Sequence, residues 1–372
     1  MDVLAYGTQK ASAKLKPLKY RHRDVRDGEI AIEISHCGVC HSDLHQARND
    51  WKNTVYPCVP GHEIVGKVVA VGKGVKRFKK GDRAGVGCMI NSCQQCEQCK
   101  AGDEQYCTGP KSATLTYNGP KEPDGTNTYG GYSTGIVLRE EFALTIPAAI
   151  DSEHAGPILC AGITTYQPMK YFGLKPGQTL GVAGVGGLGH MAIQIGKALG
   201  ARVVALTTSK NKTDEILALG ADEVVVMKDK KALEAHAKSI DLIVDTIPYE
   251  HDINPYVKLV KAKGQIAVVG NFLGFDKVDT SELVFNHVGI TGSLIGGVAD
   301  TQEVLELCAE HKIAPLIEII PMDGINEAFK RMQDEDVRFR HVIDMATLRE
   351  DETAAKKASS IPEPERGEVV GR

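Results

Sequence analysis

The spacing of apolar residues changes along the chain, and the change predicts two kinds of structure. Ile30, Ile32 and Ile34 alternate with polar or small residues, which is typical of a half-buried strand. The apolar stretch 65–71 predicts a second strand, and residues 108–131, rich in glycine, proline and threonine, predict a long loop. We therefore expect strands and loops from about residue 29 to residue 160.

From Gly177 onwards, apolar runs rich in valine and isoleucine alternate with helical segments. These runs predict six strands, at residues 179–183, 202–207, 223–227, 241–247, 265–270 and 288–295. Helices are predicted between them, for example at 190–199 and 213–219, because a glycine that suits a helix end follows each. Near-continuous apolar strands separated by helices indicate a parallel sheet covered on both faces, here a complete doubly wound unit.

The remaining pattern contains too few elements for another domain. A helix at 301–311, a strand at 316–320, a helix at 324–333 and a strand at 341–345 are predicted, and we expect them to complete the first domain. The segment 349–372 carries five basic and six acidic residues with little apolar periodicity. We predict that this tail is mobile or lies on the surface.

Composition and charge limit the classes of partner. With 42% hydrophobic and 25% charged residues, the 372-residue chain is typical of a folded globular protein of two or more domains. Its net charge of -4 offers no basic field for nucleic acid or an anionic membrane, and no apolar run approaches the ~20 residues of a membrane span. The first residues lack secretory features, so we expect a cytoplasmic protein, whose ten cysteines suit metals better than disulfides.

Four cysteines form the pattern C-x2-C-x2-C-x7-C, namely Cys93, Cys96, Cys99 and Cys107. Short C-x2-C turns place successive sulfurs on one side, as tetrahedral zinc with four thiolate ligands requires. Four unrelated thiols and an iron–sulfur cluster are the alternatives, and the lack of a Cys-Pro sequel weakens the cluster hypothesis. Because all four positions are cysteine and none is left open, we predict a structural zinc ion.

Cys40, His62, Glu63 and Cys160 are metal-type residues that lie far apart in the sequence. Each also has an ordinary structural interpretation, the thiols as small buried hydrophobic groups and His62 as a hydrogen-bonded polar residue. Their flanking sequences favour the metal interpretation. GVCHSD ends a predicted strand, GHE follows Pro60, and CAG stands just before the predicted parallel unit.

The stretch 184–189, GVGGLG, matches the G-x-G-x-x-G pattern between a predicted strand and a predicted helix. In that context glycines allow a tight turn and let a pyrophosphate approach the N–H groups at the helix start. An NAD-preferring site would carry an acidic residue about 20 residues further on. This sequence has LTTSKNK at 206–212, whose hydroxyl and ammonium groups can bind a 2′-phosphate, so we predict NADP(H). A polar loop without a selective role is the alternative.

These motifs together resemble the zinc-dependent medium-chain alcohol dehydrogenases, and most closely their cinnamyl-alcohol-dehydrogenase-type, NADPH-linked branch. The resemblance covers about residues 25–346 and rests on GVCHSDLH, PGHE, the cysteine quartet, the Cys160 segment and GVGGLG. It implies a mainly-β, GroES-like catalytic domain with a Rossmann domain inserted into it. The implied divisions are residues 1–160 with 298–348 for the catalytic domain and residues 161–297 for the dinucleotide-binding domain.

The resemblance also implies roles for individual residues. Cys40, His62 and Cys160 match the ligands of the catalytic zinc, and Glu63 matches an acid beside it that can enter the coordination shell. Ser42 and His45 match a proton relay, and Asp50 falls where this branch has an acid of the same relay, although a solvated loop carboxylate is an equal alternative. The implied cofactor contacts are His41, Thr164, Gly184, Gly186, Gly187, Leu188, Gly189, Thr207, Thr208, Ser209 and Lys212, with Lys210 an alternative for the 2′-phosphate. The implied substrate pocket includes Gln46, Trp51, Cys88 and Ile295.

The resemblance therefore implies an aldehyde reductase that holds two zinc ions per chain and transfers hydride from NADPH to the carbonyl carbon of a small-molecule aldehyde or, in reverse, oxidises an alcohol. An NAD-linked polyol or secondary-alcohol dehydrogenase and a catalytically inactive NADPH-binding protein are the alternatives. A homodimer is implied as well, with contact through the edge strand at 289–295.

Overall fold

The computed structural model describes residues 1–12, 14–109, 113–118, 127–270, 274–334 and 339–361. The chain forms two compact units. The first comprises Met1–Cys160, Gly297–Glu306 and the chain from Leu316 onwards, and the second comprises Ala161–Gly296 and Leu307–Pro315. Among the described residues, no helix combines the length and the apolar character that crossing a membrane requires.

Most of the first 160 residues form strands. In chain order the elements are β1 (Asp2–Gly7), β2 (Lys16–Arg21), β3 (Glu29–Val39), α1 (His41–Arg48), β4 (Ile64–Val71), β5 (Arg83–Val86), β6 (Met89–Asn91), α2 (Glu97–Ala101), β7 (Thr114–Leu115), β8 (Gly135–Arg139), β9 (Leu144–Thr145) and α3 (Ser152–Pro157). Short 3-10 turns lie at Glu104–Tyr106 and Glu140–Phe142, and a π-helical turn, Ile158–Gly162, follows α3.

The middle of the chain alternates strands and helices. Its elements are α4 (Ile163–Tyr171), β10 (Thr179–Ala183), α5 (Gly189–Ala198), β11 (Arg202–Thr207), a 3-10 turn (Lys210–Lys212), α6 (Thr213–Ala218), β12 (Glu223–Val226), α7 (Lys230–Ala235), β13 (Ile240–Asp245), α8 (Asn254–Val257), β14 (Val260–Val268), α9 (Thr280–Asn286) and β15 (Gly289–Gly292). The last part of the chain contains α10 (Val298–Glu310), β16 (Ile317–Pro321), a 3-10 turn (Met322–Gly324), α11 (Ile325–Gln333), β17 (Arg340–Asp344), α12 (Ala346–Arg349), α13 (Glu352–Lys357) and β18 (Ser359–Ser360).

A seven-stranded, largely antiparallel sheet forms the core of the first unit. Its order is β16-β17-β3-β4-β5-β9, with β8 also paired to β3. Ile30, Ile32 and Ile34 of the central strand β3 are completely buried, as their alternation predicts. The strands β16 and β17, which are predicted to return to the first domain, do so through the antiparallel pairing of β17 with β3.

A six-stranded parallel sheet forms the second unit, in the order β12-β11-β10-β13-β14-β15. This is the strand order of a doubly wound sheet, so the predicted fold class is confirmed. All six predicted strands are present, and the largest difference is at β14, which begins at Val260 because Val260 already pairs with Ile240 across a local irregularity. The charged stretch around Lys261 and Lys263 hides this pairing from the apolar pattern.

The described part of the predicted long loop at 108–131 contains one short strand that the composition does not indicate. This strand, β7, pairs with β6. Residues 110–112 and 119–126 of the same prediction lie outside the described residues.

Residues 349–361 of the predicted tail form short elements and are mostly exposed, which agrees with the prediction that the tail lies on the surface. The carboxylate of Asp351 caps α13 by accepting a hydrogen bond from the Ala354 backbone N–H, at 2.8 Å. β18 then pairs in parallel with β2, and Ile361 donates a backbone hydrogen bond to Lys19, at 2.8 Å. Ala354 and Ile361 are buried, so a few apolar contacts hold a segment whose composition is mostly polar. Residues 362–372 lie beyond the described part.

Two adjacent alanines test whether this segment packs in solution. Ala354 is buried and Ala355 is exposed. We expect Ala354→Glu to lower the free energy of unfolding by about 2 kcal/mol or more, because it buries a charge, and Ala355→Glu to leave it within about 0.5 kcal/mol of the wild type. Equal stability of the two variants in chemical denaturation would contradict the packing of α13.

Candidate functional site

Residues from three distant segments of the sequence meet at one end of the large sheet. β3 and β4 are antiparallel neighbours, so Cys40, just beyond the end of β3, lies close to His62 and Glu63, just before β4. The π-helical turn after α3 brings Cys160 to the same place. These four residues are buried, their ligand atoms all lie within 4.8 Å of one another, and His62 Nε2 is 3.1 Å from Cys160 Sγ.

The two thiols of this group interact strongly. A hydrogen bond from Cys160 lowers the pKa of Cys40 well below its usual value, and the nearby charge of Arg340 acts in the same direction against the effect of burial. The hydrogen bond to Cys40 raises the pKa of Cys160 well above its usual value. Zinc binds both sulfurs in their deprotonated form, so metal binding at this pair releases protons.

Asp43 orients the ring of His62. Asp43 is fully buried in α1, and its Oδ1 atom lies 3.2 Å from His62 Nδ1. With Nδ1 donating to this carboxylate, Nε2 is the nitrogen that can bind a metal. Burial opposes the protonation of His62, but Asp43, Cys88 and Cys40 together raise the pKa of His62 well above its usual value. Metal binding at Nε2 therefore releases a proton.

The sequence prediction omits Asp43, although a local signal indicates it. Asp43 is the third residue of α1, and its carboxylate accepts a hydrogen bond from the backbone N–H of Cys40, at 2.9 Å. An acidic residue three positions after the residue that caps a helix start is a helix-capping signal. The cap also fixes the backbone at Cys40, so the same carboxylate positions two of the candidate metal ligands.

Glu63 and Arg340 form a buried pair behind the metal-type residues. Glu63 Oε1 lies 3.4 Å from Arg340 Nη2, and Arg340 Nη1 donates to the Val39 carbonyl at 3.1 Å. Burial raises the pKa of Glu63 to about 7 despite the opposing charge of Arg340. Gly38 leaves the necessary space, since a Cβ there would lie 1.9 Å from Glu63 Oε2.

This donor set fits a zinc ion with an exchangeable position. Two sulfurs and one imidazole nitrogen are the ligands of catalytic zinc in one well-known class of site, which leaves the fourth position for water or substrate. Neither carboxylate oxygen of Glu63 has a hydrogen-bond partner in the described part of the chain. Glu63 is therefore available to the same ion.

The cysteine quartet forms a second, separate group. Its four sulfurs also lie within 4.8 Å of one another, with 3.9 Å between Cys93 Sγ and Cys99 Sγ and 4.0 Å between Cys96 Sγ and Cys107 Sγ. α2 begins directly after Cys96 and contains Cys99, so one short helix directs two of the sulfurs inward. Four sulfurs at these separations fit tetrahedral zinc with no open position.

Backbone N–H groups prepare the quartet for a cation. Hydrogen bonds from the N–H groups of Gln95 and Cys96 lower the pKa of Cys93, and the N–H of Cys99 lowers the pKa of Cys96 to about 5. Both effects favour the thiolate form, which is the form that binds zinc. Gly109 is needed for close packing here, because a Cβ would lie 2.8 Å from Cys93 Sγ.

The predicted proton relay lies on α1 and the turn that follows it. Ser42 Oγ is 3.7 Å from Cys40 Sγ, which places it beside the candidate metal site. His45 lies one turn further along α1, and its Nδ1 atom is 2.9 Å from Asp50 Oδ2. The side chains of His45 and Asp50 are 23% and 28% exposed, so this pair is open to water. Arg48 Nε also lies 3.4 Å from Asp50 Oδ2.

The glycine loop of the second unit has the geometry of a phosphate cradle. Gly184 has φ of +80°, and a Cβ on Gly189 would lie 2.1 Å from the Gly184 carbonyl oxygen. A Cβ on Gly186 would meet nothing within 4 Å, which leaves open space above the turn. Gly187 and Leu188 complete the loop, and α5 begins at Gly189, so the positive end of the helix dipole lies at this turn.

The predicted 2′-phosphate residues lie next to the glycine loop. The Gly184 N–H donates to the Leu206 carbonyl at 3.0 Å, which joins the loop to the end of β11. Thr207 ends β11, and its Oγ1 accepts a hydrogen bond from the Ser209 N–H at 3.2 Å. Thr208 and Lys210 are exposed, and Ser209 and Lys212 are half-buried. Hydroxyl and ammonium groups therefore surround the carboxyl end of this strand.

The other predicted cofactor residues are His41 and Thr164. His41 is the first residue of α1, and burial lowers its pKa. Thr164 is buried in α4, and its Oγ1 has no hydrogen-bond partner within the described ranges. This hydroxyl is available to a ligand.

The four predicted pocket residues differ in their surroundings. Cys160 donates a hydrogen bond that lowers the pKa of Cys88, so Cys88 adjoins the metal group. The Trp51 ring lies 5.6 Å from the His45 ring. The Gln46 amide is bound within its own loop, where it donates to Thr54 Oγ1 at 2.6 Å. Ile295, in the second unit, is half-buried with φ of +37°.

Replacing one quartet cysteine tests the structural metal. We expect Cys96→Ser to lower total zinc by one ion per chain and to reduce the free energy of unfolding on the order of 4 kcal/mol, because four ligands share one ion. Gln95→Ala, an exposed neighbour in the same turn, is the control and should change neither quantity. An unchanged thermal midpoint for Cys96→Ser would show that the quartet holds no ion.

Comparison with known proteins shows the family of the chain. Residues 26–148 match the alcohol dehydrogenase GroES-like domain, and residues 187–310 match the zinc-binding dehydrogenase domain. The chain is 46% identical over 350 residues to aldehyde reductase YahK of Escherichia coli K12, which covers 94% of this chain and 99% of that protein.

Two solved structures share the fold. A cinnamyl alcohol dehydrogenase of Sorghum bicolor, SbCAD4, is 40% identical with a TM-score of 0.89, covering 93% of this chain and 98% of that one. A cinnamyl alcohol dehydrogenase of Helicobacter pylori complexed with NADP(H) is 35% identical with a TM-score of 0.86, covering 93% and 99%. The family prediction is thereby confirmed, and the chain belongs to the zinc-dependent medium-chain alcohol dehydrogenases, in their cinnamyl-alcohol-dehydrogenase-type branch.

Proposed function

We propose that this protein is an NADP(H)-linked zinc alcohol dehydrogenase that works mainly as an aldehyde reductase. The observation that supports this most strongly is the convergence of Cys40, His62 and Cys160, whose ligand atoms come within 4.8 Å of one another from three distant segments. The similarity to an aldehyde reductase and to an alcohol dehydrogenase complexed with NADP(H) supports the direction and the cofactor.

Cys40, His62 and Cys160 would hold the catalytic zinc, and Glu63 lies beside it. A zinc ion bound there polarises a substrate carbonyl as a Lewis acid, and NADPH supplies the hydride. The chain contributes the orientation. Asp43 fixes the ring of His62, and Arg340 balances the charge of Glu63 in the protein interior. The quartet would hold the second zinc ion, which has no open position for a substrate.

Ser42, His45 and Asp50 would carry the proton between the substrate oxygen and water. The Ser42 hydroxyl adjoins a metal ligand, which suits a donor to a developing alkoxide. His45 lies on the same helix and contacts Asp50 at 2.9 Å, and both side chains are partly exposed. This contact favours the relay over a freely solvated carboxylate at Asp50, because it joins the two side chains by a hydrogen bond.

Thr207, Thr208, Ser209 and Lys212 would bind the 2′-phosphate of NADP(H), with Lys210 as an alternative. The support is the set of exposed or half-buried hydroxyl and ammonium groups at the end of β11. The glycine loop would bind the pyrophosphate, and the Gly184 N–H joins this loop to the end of β11 by a hydrogen bond. His41 and Thr164 are further candidate contacts.

The substrate is proposed to be a small aldehyde or alcohol. Trp51 and Cys88 adjoin the relay and the metal group, so they would line the pocket, with Ile295 a further candidate. Gln46 is the weakest pocket candidate, since its amide already donates to Asn53 and Thr54. A panel of aromatic, terpenoid and aliphatic aldehydes, with mannitol and secondary alcohols in the reverse direction, distinguishes the reductase from a polyol dehydrogenase.

We also propose that the protein is cytoplasmic and that it forms a homodimer. Its catalytic domain would comprise residues 1–160 and 298–348, and its dinucleotide-binding domain residues 161–297. β15 is the edge of the parallel sheet. The helix before it, α9, exposes 77% of Val284 and 87% of Phe285. Two adjacent exposed apolar side chains beside an open strand edge suit contact with a second copy.

The cofactor preference is tested by reversing one charge. We expect initial rates of aldehyde reduction to be faster with NADPH than with NADH, and Lys212→Glu to lower kcat/KM for NADPH by about 30-fold, because it replaces a phosphate contact by a repulsion. The rate with NADH should change little. Lys228→Glu makes the same change of charge at an exposed lysine and is the control. Equal effects of Lys212→Glu with both cofactors would contradict the assignment.

The catalytic metal is tested at Cys160. We expect Cys160→Ala to lower zinc from two ions to one per chain and to reduce aldehyde turnover by about 1,000-fold or more, while the fold is kept. Cys308→Ala removes another buried thiol and should keep both ions. Full activity and normal zinc content in Cys160→Ala would refute the ligand set. Two zinc ions and NADPH binding without turnover of any aldehyde in the wild type would favour the inactive binding protein.

A further inference from the structure

One buried hydroxyl reaches the candidate metal site from a segment that the proposed function does not use. Tyr132 is completely buried, and its hydroxyl donates a hydrogen bond to Asp43 Oδ2 at 2.9 Å. Asp43 is in turn the carboxylate that faces His62 Nδ1. Tyr132 therefore lies one hydrogen bond behind the group that orients a candidate ligand.

The carboxylate of Asp43 has two donors on each oxygen. Oδ1 faces the backbone N–H of Gly61 at 2.9 Å and His62 Nδ1 at 3.2 Å. Oδ2 accepts from the backbone N–H of Cys40 at 2.9 Å and from the Tyr132 hydroxyl at 2.9 Å. Three of the four donors hold Asp43 to neighbouring backbone or to a separate segment, and the fourth is the histidine itself. The plane of the carboxylate is therefore determined by its surroundings.

The segment around Tyr132 is joined to the loop that carries His62. The N–H groups of Gly131 and Tyr132 donate to the carbonyls of Gly61 and Pro60, at 2.8 and 2.9 Å. The two segments approach so closely that a Cβ on Gly61, where φ is +104°, would lie 2.7 Å from the Tyr132 backbone nitrogen. The backbone from which the tyrosine reaches Asp43 is thus hydrogen-bonded to the loop that carries His62.

We propose that Tyr132 is a positioning residue for the catalytic zinc, because its hydroxyl holds the Asp43 carboxylate in the plane that directs His62 Nε2 toward the metal. This inference rests on the proposed function, in which His62 is a zinc ligand. Without the hydroxyl, Oδ2 keeps only the bond from the Cys40 N–H, so this oxygen is held less firmly than in the wild type. The bond to His62 Nδ1 then lengthens, and the imidazole loses its preferred orientation.

The expected effect is selective loss of one zinc ion. Groups that orient a metal-bound histidine typically change metal affinity 10–100-fold when they are removed. Tyr132 acts through Asp43, so the lower end of this range applies to Tyr132→Phe and the upper end to Asp43→Asn. The quartet is a separate group of ligands, so its zinc ion is an internal control in the same molecule.

The experiment measures zinc release from the full-length, zinc-loaded protein to a colorimetric chelator, with total zinc counted by elemental analysis. The proteins are the wild type, Tyr132→Phe, Asp43→Asn, the double variant and Tyr20→Phe. Tyr20 is a buried tyrosine of the same unit that packs against Tyr129, with 4.7 Å between ring centroids, so Tyr20→Phe is the matched control for the loss of a buried hydroxyl.

We expect the catalytic zinc to leave Tyr132→Phe about tenfold faster than the wild type and Asp43→Asn about 100-fold faster, with the quartet zinc unchanged in both. The double variant should release zinc no faster than Asp43→Asn, since Tyr132 acts only through that carboxylate. The visible absorption of cobalt substituted at the catalytic site should shift in Tyr132→Phe and not in Tyr20→Phe.

Three results would overturn the inference. The first is release of the catalytic zinc from Tyr132→Phe at the wild-type rate. The second is an equal acceleration of the release of both zinc ions, and the third is a release rate in the double variant that equals the product of the two single effects. The first result would show that Tyr132 has no role at the metal site, and the second that its role is only structural. The third would show that Tyr132 does not act through Asp43. A wild type that holds only the quartet zinc would instead refute the proposed function, which separates the two failures.

Discussion

The carboxylate of Asp43 faces four donors that lie on three separate segments of the chain. A buried charge of this kind is stable only while its donors are in place, because an unsatisfied carboxylate in the protein interior costs several kcal/mol. The end of β3, the loop before β4 and the segment around Tyr132 are therefore held in one arrangement. The orientation of His62, and with it the geometry of the candidate catalytic metal site, depends on that arrangement.

The two metal groups show how local and non-local construction produce different sites. The quartet lies within one short stretch, where backbone N–H groups favour the thiolates of Cys93 and Cys96, and its four cysteines leave no position for another ligand. The other group gathers Cys40, His62 and Cys160 from three segments around the end of a sheet. A site built in this way can leave one coordination position free, because the surrounding fold holds the three ligands in place without a fourth.

In the second unit, the common direction of the strands brings residues from distant parts of the sequence together. All six strands are parallel, so the loops after β10 and β11 emerge at the same edge and are joined by the Gly184 to Leu206 hydrogen bond. The glycine loop and a cluster of hydroxyl and ammonium groups thereby become neighbours. This is the general reason why ligands of such sheets bind at the carboxyl ends of the strands.

The sequence by itself determined the features that depend on local spacing: the six parallel strands, the glycine loop, the cysteine quartet and, through several motifs together, the family. The tertiary structure decided what depends on pairing between distant segments. Asp43 is a shared acceptor because Gly61 and Tyr132 lie next to it in the fold. The polar segment 349–361 forms regular structure because β18 pairs with β2. Periodicity reports which face of an element is apolar, whereas a hydrogen bond between segments 89 residues apart, as from Tyr132 to Asp43, leaves no periodic trace.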